Sequence, residues 1–387
     1  MPSNSLSVIL NPTYRCNADC EYCFENRTSD VMELEDFECI FRKIADYLRQ
    51  QEVSDLKLHW EGGEIFTMEP EWLLRAHDIS GEISEKTGLR INHRLQTNLI
   101  GYGPRWRRIV REMFCDEIGS SLDYPNLYRK VLGGDPESFN TTWFRRYEEA
   151  RDAGIQIGVI TLPNKASLSV GAERFYSYYV EDLGIASFQI NTPYPGGRPT
   201  PAKRSFPLDN ELLSTFYSDL FDLWIRHGLC EDVPINPFNE LVHYFRTGEN
   251  KSYCTWAENC SCKFVGIGPK GAVGQCEDWV SNHPEYVFGN ILEGGTMAEI
   301  MNGPVRERFL QRPARLFDEE DCAECEYWNL CHGGCPVRAY SSTGNLFAKD
   351  PYCQSSKTLF DCARNAARAL DLVEICRLVL EPPDSGQ

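Results

Sequence analysis

The N-terminal stretch Leu6-Ser7-Val8-Ile9-Leu10, followed by Cys16-Asn-Ala-Asp-Cys20-Glu-Tyr-Cys23-Phe24, decides how the rest of the chain is interpreted. The first run is short and mostly apolar, which predicts a buried strand. The three cysteines that follow it have the spacing C-x3-C-x2-C on one short loop. Three thiolates on such a loop can bind three irons of a [4Fe–4S] cluster and leave the fourth iron open to an exogenous ligand. A zinc site would need a fourth protein ligand nearby, and none is adjacent in the sequence.

Length, charge and cysteine content narrow the classes of protein that fit. The chain has 387 residues, 17 cysteines and a formal net charge of −18. Such an acidic protein is poorly suited to nucleic acid or to an anionic membrane surface, and no apolar run is long enough to span a bilayer. The N-terminal residues MPSNSLSVILNP lack the basic and apolar regions of a secretory signal. We therefore expect a cytoplasmic protein whose clustered cysteines bind metal rather than form disulfides.

The first half of the chain alternates short strand-like runs with helical periodicity. One helix is predicted from the apolar stripe between Phe37 and Leu48, and another at about 209–226. Six β/α units indicate an α/β fold, a partial (β/α)6 TIM-like barrel with a parallel sheet. The predicted strands are 6–10, 56–60, 91–96, 118–122, 155–160 and 186–190. The run TPYPGGRPTPAKRSFP from Thr192 predicts a loop beside the barrel mouth, and residues 254–353 contain nine cysteines in a second, metal-organised domain.

Motifs after the later strands resemble those of the radical S-adenosylmethionine superfamily. The cysteine loop, with Tyr22 before its last cysteine, and Trp60-Glu61-Gly62-Gly63-Glu64 after the second strand carry this resemblance. It implies that Glu64 binds the methionyl amine of S-adenosylmethionine and that Arg129 binds its carboxylate in a charge-assisted pair. It implies iron binding by Cys16, Cys20 and Cys23, and cofactor contacts for Tyr22, Gly62, Gly63, Glu64, Gln96, Asn98, Ser121, Asp123 and Arg129.

The same resemblance implies the chemistry. One electron from the reduced cluster cleaves the sulfonium of S-adenosylmethionine, and the resulting 5′-deoxyadenosyl radical abstracts a hydrogen atom from the substrate. The cofactor carries the difficult step, while the protein supplies orientation and excludes water. We therefore expect an oxygen-sensitive oxidoreductase that needs an electron donor such as flavodoxin or ferredoxin.

A second group of cysteines lies in the C-terminal half, in the pattern Cys322-x2-Cys325-x5-Cys331-x3-Cys335 with Cys254, Cys260 and Cys276 before it and Cys353 after it. On spacing alone four of these sulfurs fit a zinc ribbon, but eight are enough for two tetrathiolate sites. The pattern resembles the SPASM domain of anaerobic sulfatase-maturing enzymes and ribosomal-peptide (RiPP) maturases. The resemblance implies two auxiliary [4Fe–4S] clusters, one held by Cys254, Cys260, Cys276 and Cys335 and the other by Cys322, Cys325, Cys331 and Cys353. Either Cys260 or Cys262 can in principle complete the first set.

Two carboxylates follow a cysteine of the first auxiliary set, in Cys276-Glu277-Asp278-Trp279. In sulfatase-maturing enzymes the residue after this cysteine is an Asp that acts as a general base on the substrate. We predict that Glu277, with Asp278 beside it, has a catalytic role here, because a carboxylate near an auxiliary cluster can accept the substrate proton. An acidic surface turn is the alternative interpretation. Ile65, Leu99 and Glu277 depart from the sulfatase-maturase sequence and leave the substrate class open.

The predicted domains are a radical S-adenosylmethionine barrel core over 1–195, a loop and helical linker over 196–253, a SPASM domain over 254–360, and a C-terminal helix and tail over 361–387. The predicted function is maturation of a ribosomally synthesised precursor peptide by oxidation or cross-linking of a side chain, of the cyclophane or thioether type. An anaerobic sulfatase-maturing enzyme that forms Cα-formylglycine from Cys or Ser is the close alternative. A non-catalytic iron–sulfur electron carrier is the distant one. Neither a nucleic acid nor a membrane partner is expected.

Overall fold

The computed structural model describes residues 5–197, 207–227, 233–250 and 254–369. Its strands are β1 (Ser5–Leu10), β2 (Asp55–Trp60), β3 (Arg90–Thr97), β4 (Glu117–Ser121), β5 (Gln156–Thr161), β6 (Phe188–Ile190), β7 (Ile235–Asn236), β8 (Phe264–Ile267), β9 (Ala272–Gly274) and β10 (Gly289–Asn290). They form one sheet in the order β10-β9-β8-β1-β2-β3-β4-β5-β6-β7. The barrel and the cysteine-rich half therefore share a sheet.

The α-helices connect these strands and cover the sheet. Along the barrel they are α1 (Leu34–Gln50), α2 (Pro70–Thr87), α3 (Arg107–Phe114), α4 (Pro136–Asp152), α5 (Lys165–Ser177), α6 (Asn210–Arg226) and α7 (Phe238–Thr247). In the cysteine-rich half they are α8 (Glu277–Asn282), α9 (Met297–Met301), α10 (Pro304–Glu319), α11 (Trp328–Cys331), α12 (Pro336–Thr343) and α13 (Cys353–Ala369). None of the helices in the described part of the chain is both long and apolar enough to span a membrane.

The predicted α/β fold with a partial (β/α)6 barrel is confirmed. Strands β1 to β7 follow one another in the sheet and pair in parallel. Burial alternates along β1 and β2, where Leu6, Val8 and Leu10 and then Leu56, Leu58 and Trp60 point into the core. The apolar stripe that predicted α1 is buried, and α6 begins where Asp209 accepts hydrogen bonds from the Glu211 and Leu212 amides.

The structure adds strands that the periodicity did not predict. Strand β7 extends the parallel row, and β8 pairs in parallel with β1 on its other side, with Ser7 opposite Phe264. These strands are too short for a pattern of alternating burial to be read from the sequence. Because β8 lies next to β1, the segment that follows Cys260 and Cys262 runs beside the strand that precedes Cys16.

Helix α13 packs against α6 and α7 and closes the barrel at the side away from β1. The predicted loop after Thr192 has no helix or strand up to residue 197, and its continuation over 198–206 lies outside the described residues. The predicted C-terminal tail also lies outside the described residues, which end at 369.

Candidate active site

The loop after β1 carries Cys16, Cys20 and Cys23, which are all half-buried and not in disulfide bonds. The Cys23 amide donates to the Cys20 carbonyl at 3.2 Å, and the Ala18 amide donates to Cys16 Sγ at 3.4 Å. Burial raises the pKa of Cys16, and neighbouring Glu64, Cys23 and Cys20 raise it further. A thiol in such surroundings becomes a thiolate when a metal cation compensates its charge. Three soft donors on one loop fit an iron–sulfur cluster with an open iron.

The segment 128–132 holds this loop in place through three backbone hydrogen bonds. The Asp19 amide donates to the Lys130 carbonyl at 2.8 Å, the Glu21 amide to the Tyr128 carbonyl at 3.0 Å, and the Leu132 amide to the Asn17 carbonyl at 2.9 Å. The cysteine loop is therefore fixed by residues adjacent to Arg129.

Glu64 lies where the motif after β2 meets the end of β3. Its carboxylate accepts from Thr97 Oγ1 at 2.6 Å, from the Asn98 amide at 2.7 Å and from the Phe66 amide at 2.9 Å. Burial raises its pKa, while these three hydrogen bonds oppose the shift. The Asn98 side chain donates to Asn17 Oδ1 at 2.7 Å and approaches Cys16 Sγ at 3.7 Å. Glu64 and Asn98 thus lie beside the cysteine loop.

The two glycines of the motif allow a close backbone approach. Gly62 has a φ of 124°, and a Cβ there would lie 2.4 Å from the Thr13 carbonyl oxygen. A Cβ at Gly63 would lie 2.2 Å from the Arg15 carbonyl oxygen. Any larger residue would therefore push the loop after β2 away from the segment that leads into Cys16.

Asp123 organises the opposite wall through Tyr22 and Arg129. Its Oδ2 accepts from the Tyr22 hydroxyl and from Arg129 Nε, the latter at 2.9 Å, and its Oδ1 accepts from the Leu162 amide at 3.0 Å. The Arg129 guanidinium lies 5.2 Å from the centre of the Tyr22 ring. Burial opposes the charged form of Arg129, but Asp123, Tyr22 and Cys20 together raise its pKa. On the same wall Gln96 Nε2 donates to Ser121 Oγ at 2.9 Å.

The eight cysteines of the C-terminal half separate into two groups by their electrostatic neighbours. Burial and then neighbouring groups, Cys335 among them, raise the pKa of Cys260 and of Cys276. Cys335 also neighbours Cys254, which is exposed. The pKa of Cys331 is raised by burial and then by Cys353 and Cys322, among others. Cys322, Cys325, Cys331 and Cys353 line a common space of about 420 Å³ that is partly open to solvent. These two groups have the same members as the two ligand sets that the resemblance implies, and their role as cluster ligands stays a prediction.

Cys260 and Cys262 lie in different surroundings. Cys260 is half-buried and neighbours Cys254 and Cys335, whereas Cys262 is exposed and lies near Tyr47. The position of Cys260 favours it as the fourth member of the first group. Among the described residues, no three thiol, imidazole or carboxylate groups converge tightly enough to hold a single metal ion.

Helix α8, which carries Glu277 and Asp278, is bonded to the end of the cysteine loop. Asn282 Nδ2 donates to the Phe24 carbonyl at 2.6 Å. The Asn26 amide donates to Ser281 Oγ at 2.9 Å, and Ser281 Oγ donates to Glu25 Oε2 at 2.8 Å. More than 250 residues separate these partners in the chain. These hydrogen bonds join the helix that follows Cys276 to the loop that carries Cys16, Cys20 and Cys23.

Glu277 meets two carboxyl groups of the barrel mouth, Glu61 and Glu25. Burial raises the pKa of Glu61 to about 7, while a hydrogen bond with Glu277 opposes the shift. Burial and then Glu61, Glu25 and Asp278 raise the pKa of Glu277 well above its ordinary value. Glu277 Oε2 has no hydrogen-bond partner among the described residues. Neither Glu61 nor Glu25 was predicted from the sequence as a site residue, although Glu61 belongs to the motif after the second strand.

Asp278 faces a different group from Glu277. It is 1% exposed and accepts from the Tyr194 hydroxyl at 2.6 Å, and His283 Nε2 lies 3.3 Å away. Tyr194 belongs to the run that follows Thr192, so Asp278 attaches this loop to α8. A buried, fully engaged carboxylate of this kind positions its neighbours.

Comparisons with known proteins agree with this geometry. Residues 254–326 match the family model of SPASM, described as an iron–sulfur cluster-binding domain. Over 370 residues the chain is 25% identical to the cysteine-type anaerobic sulfatase-maturating enzyme of Clostridium perfringens (strain 13 / Type A), covering 92% of this chain and 96% of the relative. Together these matches support the resemblance to radical S-adenosylmethionine enzymes with a SPASM domain. They support an enzyme that acts on a peptide or protein through radical chemistry.

Solved structures place this enzyme in the same fold. It superposes on histidine-tagged anSMEcpe with bound AdoMet at a TM-score of 0.78 and 22% identity, covering 95% of this chain and 98% of the other. It superposes on Streptococcus suis SuiB bound to its precursor peptide SuiA at a TM-score of 0.61 and 15% identity, covering 90% and 76%. Of the two functions predicted from the sequence, the comparisons therefore favour sulfatase maturation over maturation of a ribosomal peptide.

Proposed function

We propose that this enzyme oxidises the side chain of a Cys or Ser residue in a protein substrate to formylglycine. The relatives that match nearly the whole chain support this substrate class. The observation that carries the proposal is the contact between Glu277, directly after Cys276, and Glu61 at the barrel mouth. This carboxyl group would approach the substrate from the side of the first auxiliary cysteine group.

The residues proposed to hold the cofactors form three groups. Cys16, Cys20 and Cys23 would hold the catalytic [4Fe–4S] cluster, Cys254, Cys260, Cys276 and Cys335 the first auxiliary cluster, and Cys322, Cys325, Cys331 and Cys353 the second. When bound, the catalytic cluster and S-adenosylmethionine supply a 5′-deoxyadenosyl radical that removes a hydrogen atom. A one-electron donor such as flavodoxin or ferredoxin would have to supply the electron.

The chain's own residues would orient the cofactor and move one proton. Glu64 would accept from the methionyl amine, and Arg129, held by Asp123, would pair with the methionyl carboxylate. After hydrogen abstraction the substrate must lose one electron and one proton to form a C=S or C=O bond, and an oxidised auxiliary cluster would accept the electron. Glu277 would take that proton from the thiol or hydroxyl. For a Cys substrate, hydrolysis of the thioaldehyde then releases the sulfur.

A cross-linking peptide maturase is the second candidate. Glu277 and Glu61 put two carboxyl groups at the mouth, and Tyr194 brings the loop after Thr192 against α8. Glu277 on the substrate side differs from the Asp of sulfatase-maturing enzymes. The fold is also shared with SuiB.

Anaerobic turnover with matched peptides tests the proposal. Peptides that differ only in Cys, Ser or Ala at one position are incubated with enzyme, S-adenosylmethionine and reductant, and the products are analysed by mass spectrometry and aldehyde trapping. Formylglycine formation from Cys removes two hydrogens and replaces sulfur by oxygen, whereas formation from Ser removes two hydrogens only, and both yield a trappable aldehyde. A ring or cross-link loses two hydrogens, keeps any sulfur and gives no aldehyde. Products of the second kind alone would replace the proposal with the cross-linking function.

A further inference from the structure

Arg312 is a buried arginine on α10 in the cysteine-rich half, only 5% exposed. Its guanidinium donates to four backbone carbonyls: Nε to Leu346 at 2.8 Å, Nη1 to Gly334 at 3.0 Å, and Nη2 to Ala348 at 2.9 Å and Gly333 at 3.1 Å. Arginine stays protonated in proteins, and carbonyl partners satisfy its N–H groups without cancelling its charge. The helix therefore carries a full positive charge into the interior.

The groups around Arg312 belong to both auxiliary ligand sets. Gly333 and Gly334 connect Cys331, of the second set, with Cys335, of the first. Arg312 also lines a space of about 290 Å³ together with Cys254 and Cys260. Burial lowers the pKa of Arg312, and its electrostatic neighbours Cys260, Cys335, Asp350 and Cys331 oppose that shift. The guanidinium therefore lies between the two sets.

A second buried arginine nearby is already neutralised. Arg338 pairs with Asp350, whose Oδ2 also accepts from the Cys335 amide at 2.9 Å. Both side chains are almost fully buried. The Arg338–Asp350 pair has no net charge, so Arg312 adds positive charge that this pair does not cancel.

We propose that Arg312 raises the reduction potentials of both auxiliary clusters and holds the Cys331–Cys335 connection between them. A thiolate-ligated cluster becomes more negative when it gains an electron, and a fixed buried cation stabilises that form. A more positive potential makes a cluster a better one-electron acceptor. The inference rests on the proposed assignment of the eight cysteines to two clusters, but not on the identity of the substrate.

Redox titration of the reconstituted holoenzyme, followed by electron paramagnetic resonance, tests this role. The signal that changes when S-adenosylmethionine is added belongs to the catalytic cluster, and the remaining signals belong to the auxiliary ones. Arg312→Gln removes the charge and keeps N–H donors, whereas Arg312→Lys keeps the charge. Arg315→Gln is the matched control, because Arg315 lies on the same helix, is exposed and pairs with Glu319 at 2.9 Å.

Both auxiliary potentials should become more negative in Arg312→Gln and stay near the parent values in Arg312→Lys and Arg315→Gln. The potential of the catalytic cluster should not move in any of them. Loss of auxiliary iron from Arg312→Gln but not from Arg312→Lys would also support a required positive charge. Unchanged potentials in an iron-replete Arg312→Gln, or equal loss of auxiliary iron from both variants, would overturn the electrostatic role. Peptide modification is not measured, so a wrong substrate class cannot produce either result.

Discussion

The cysteine loop after β1 and helix α8 meet at the barrel mouth, but their charged groups are arranged in opposite ways. Around the cysteine loop three carboxylates have cationic partners: Asp123 pairs with Arg129 at 2.9 Å, Asp19 with Arg27, and Glu21 with Lys130. Glu64 accepts hydrogen bonds from Thr97 and two backbone amides instead. Beside α8, the neighbours of Glu277 are the carboxyl groups of Glu61, Glu25 and Asp278. In the described part of the chain, no lysine or arginine forms an ion pair with Glu25, Glu61 or Glu277.

This difference separates two tasks. On the cofactor side, ion pairs hold the charged side chains in fixed positions. Each partner loses little of its own stabilisation when a charged ligand binds beside it. Crowded carboxyl groups raise one another's affinity for protons. The substrate side is therefore suited to proton transfer, and the following experiments perturb one side at a time.

The largest effect is expected when the three thiols of the cysteine loop are removed. Replacing Cys16, Cys20 and Cys23 with Ala should abolish cleavage of S-adenosylmethionine, because no other described thiol is on that loop. Iron analysis should show the loss of one four-iron cluster and retention of the auxiliary iron. Continued formation of 5′-deoxyadenosine by this variant, or zinc in place of iron in the parent, would contradict the assignment.

The next largest effect is expected on the substrate side. Glu277→Gln keeps the shape of the carboxyl group and removes its basicity, so modified substrate should fall by about 10²–10⁴-fold. Formation of 5′-deoxyadenosine should continue through uncoupled turnover. Both products are measured by mass spectrometry in the same reaction.

The control for Glu277→Gln is the same substitution at an exposed carboxylate of the cysteine-rich half, such as Glu293→Gln. Asp278 does not serve as a control, because it is buried against Tyr194. Product formation at the parent rate in Glu277→Gln would assign the base to another group, and Glu61→Gln would then be examined in the same assay.

Arg129→Ala should weaken cofactor binding without removing iron. Loss of one partner of a buried charge pair costs about 2–5 kcal/mol, so affinity for S-adenosylmethionine should fall by well over tenfold. Isothermal titration under anaerobic conditions measures this directly. The exposed Arg75→Ala is the control, and equal affinity in both variants would refute the role of Arg129.

The smallest effect is expected at the contact between the loop after Thr192 and α8. Tyr194→Phe removes the hydroxyl that donates to Asp278 and should lower stability by about 1–3 kcal/mol, seen as a lower melting temperature. Substrate KM should rise more than kcat falls, because the contact positions the mouth and takes no part in proton transfer. An unchanged melting temperature and KM would show that Asp278 does not need this partner.

Much of the barrel could be predicted from the sequence because its signals are local. The apolar run that became β1, the spacing of Cys16, Cys20 and Cys23, and the motif that ends at Glu64 each lie within a few residues. The predicted strands differ from the observed ones by at most two residues at either end. Buried strands and helices impose their period on adjacent residues, so such elements can be recognised without knowing their partners.

Tertiary structure alone decided which groups meet across the barrel mouth. The pairing of β8 with β1 brings α8 to the residues after Cys23, and so brings Glu277 to Glu61, over 200 positions away in the chain. It also gives Glu277 and Asp278, which are adjacent in the sequence, different partners. The tertiary structure also decided that Cys262 is exposed while neighbouring Cys260 is half-buried. A sequence pattern specifies the face on which a side chain lies, whereas a contact between distant segments depends on how the completed sheet packs.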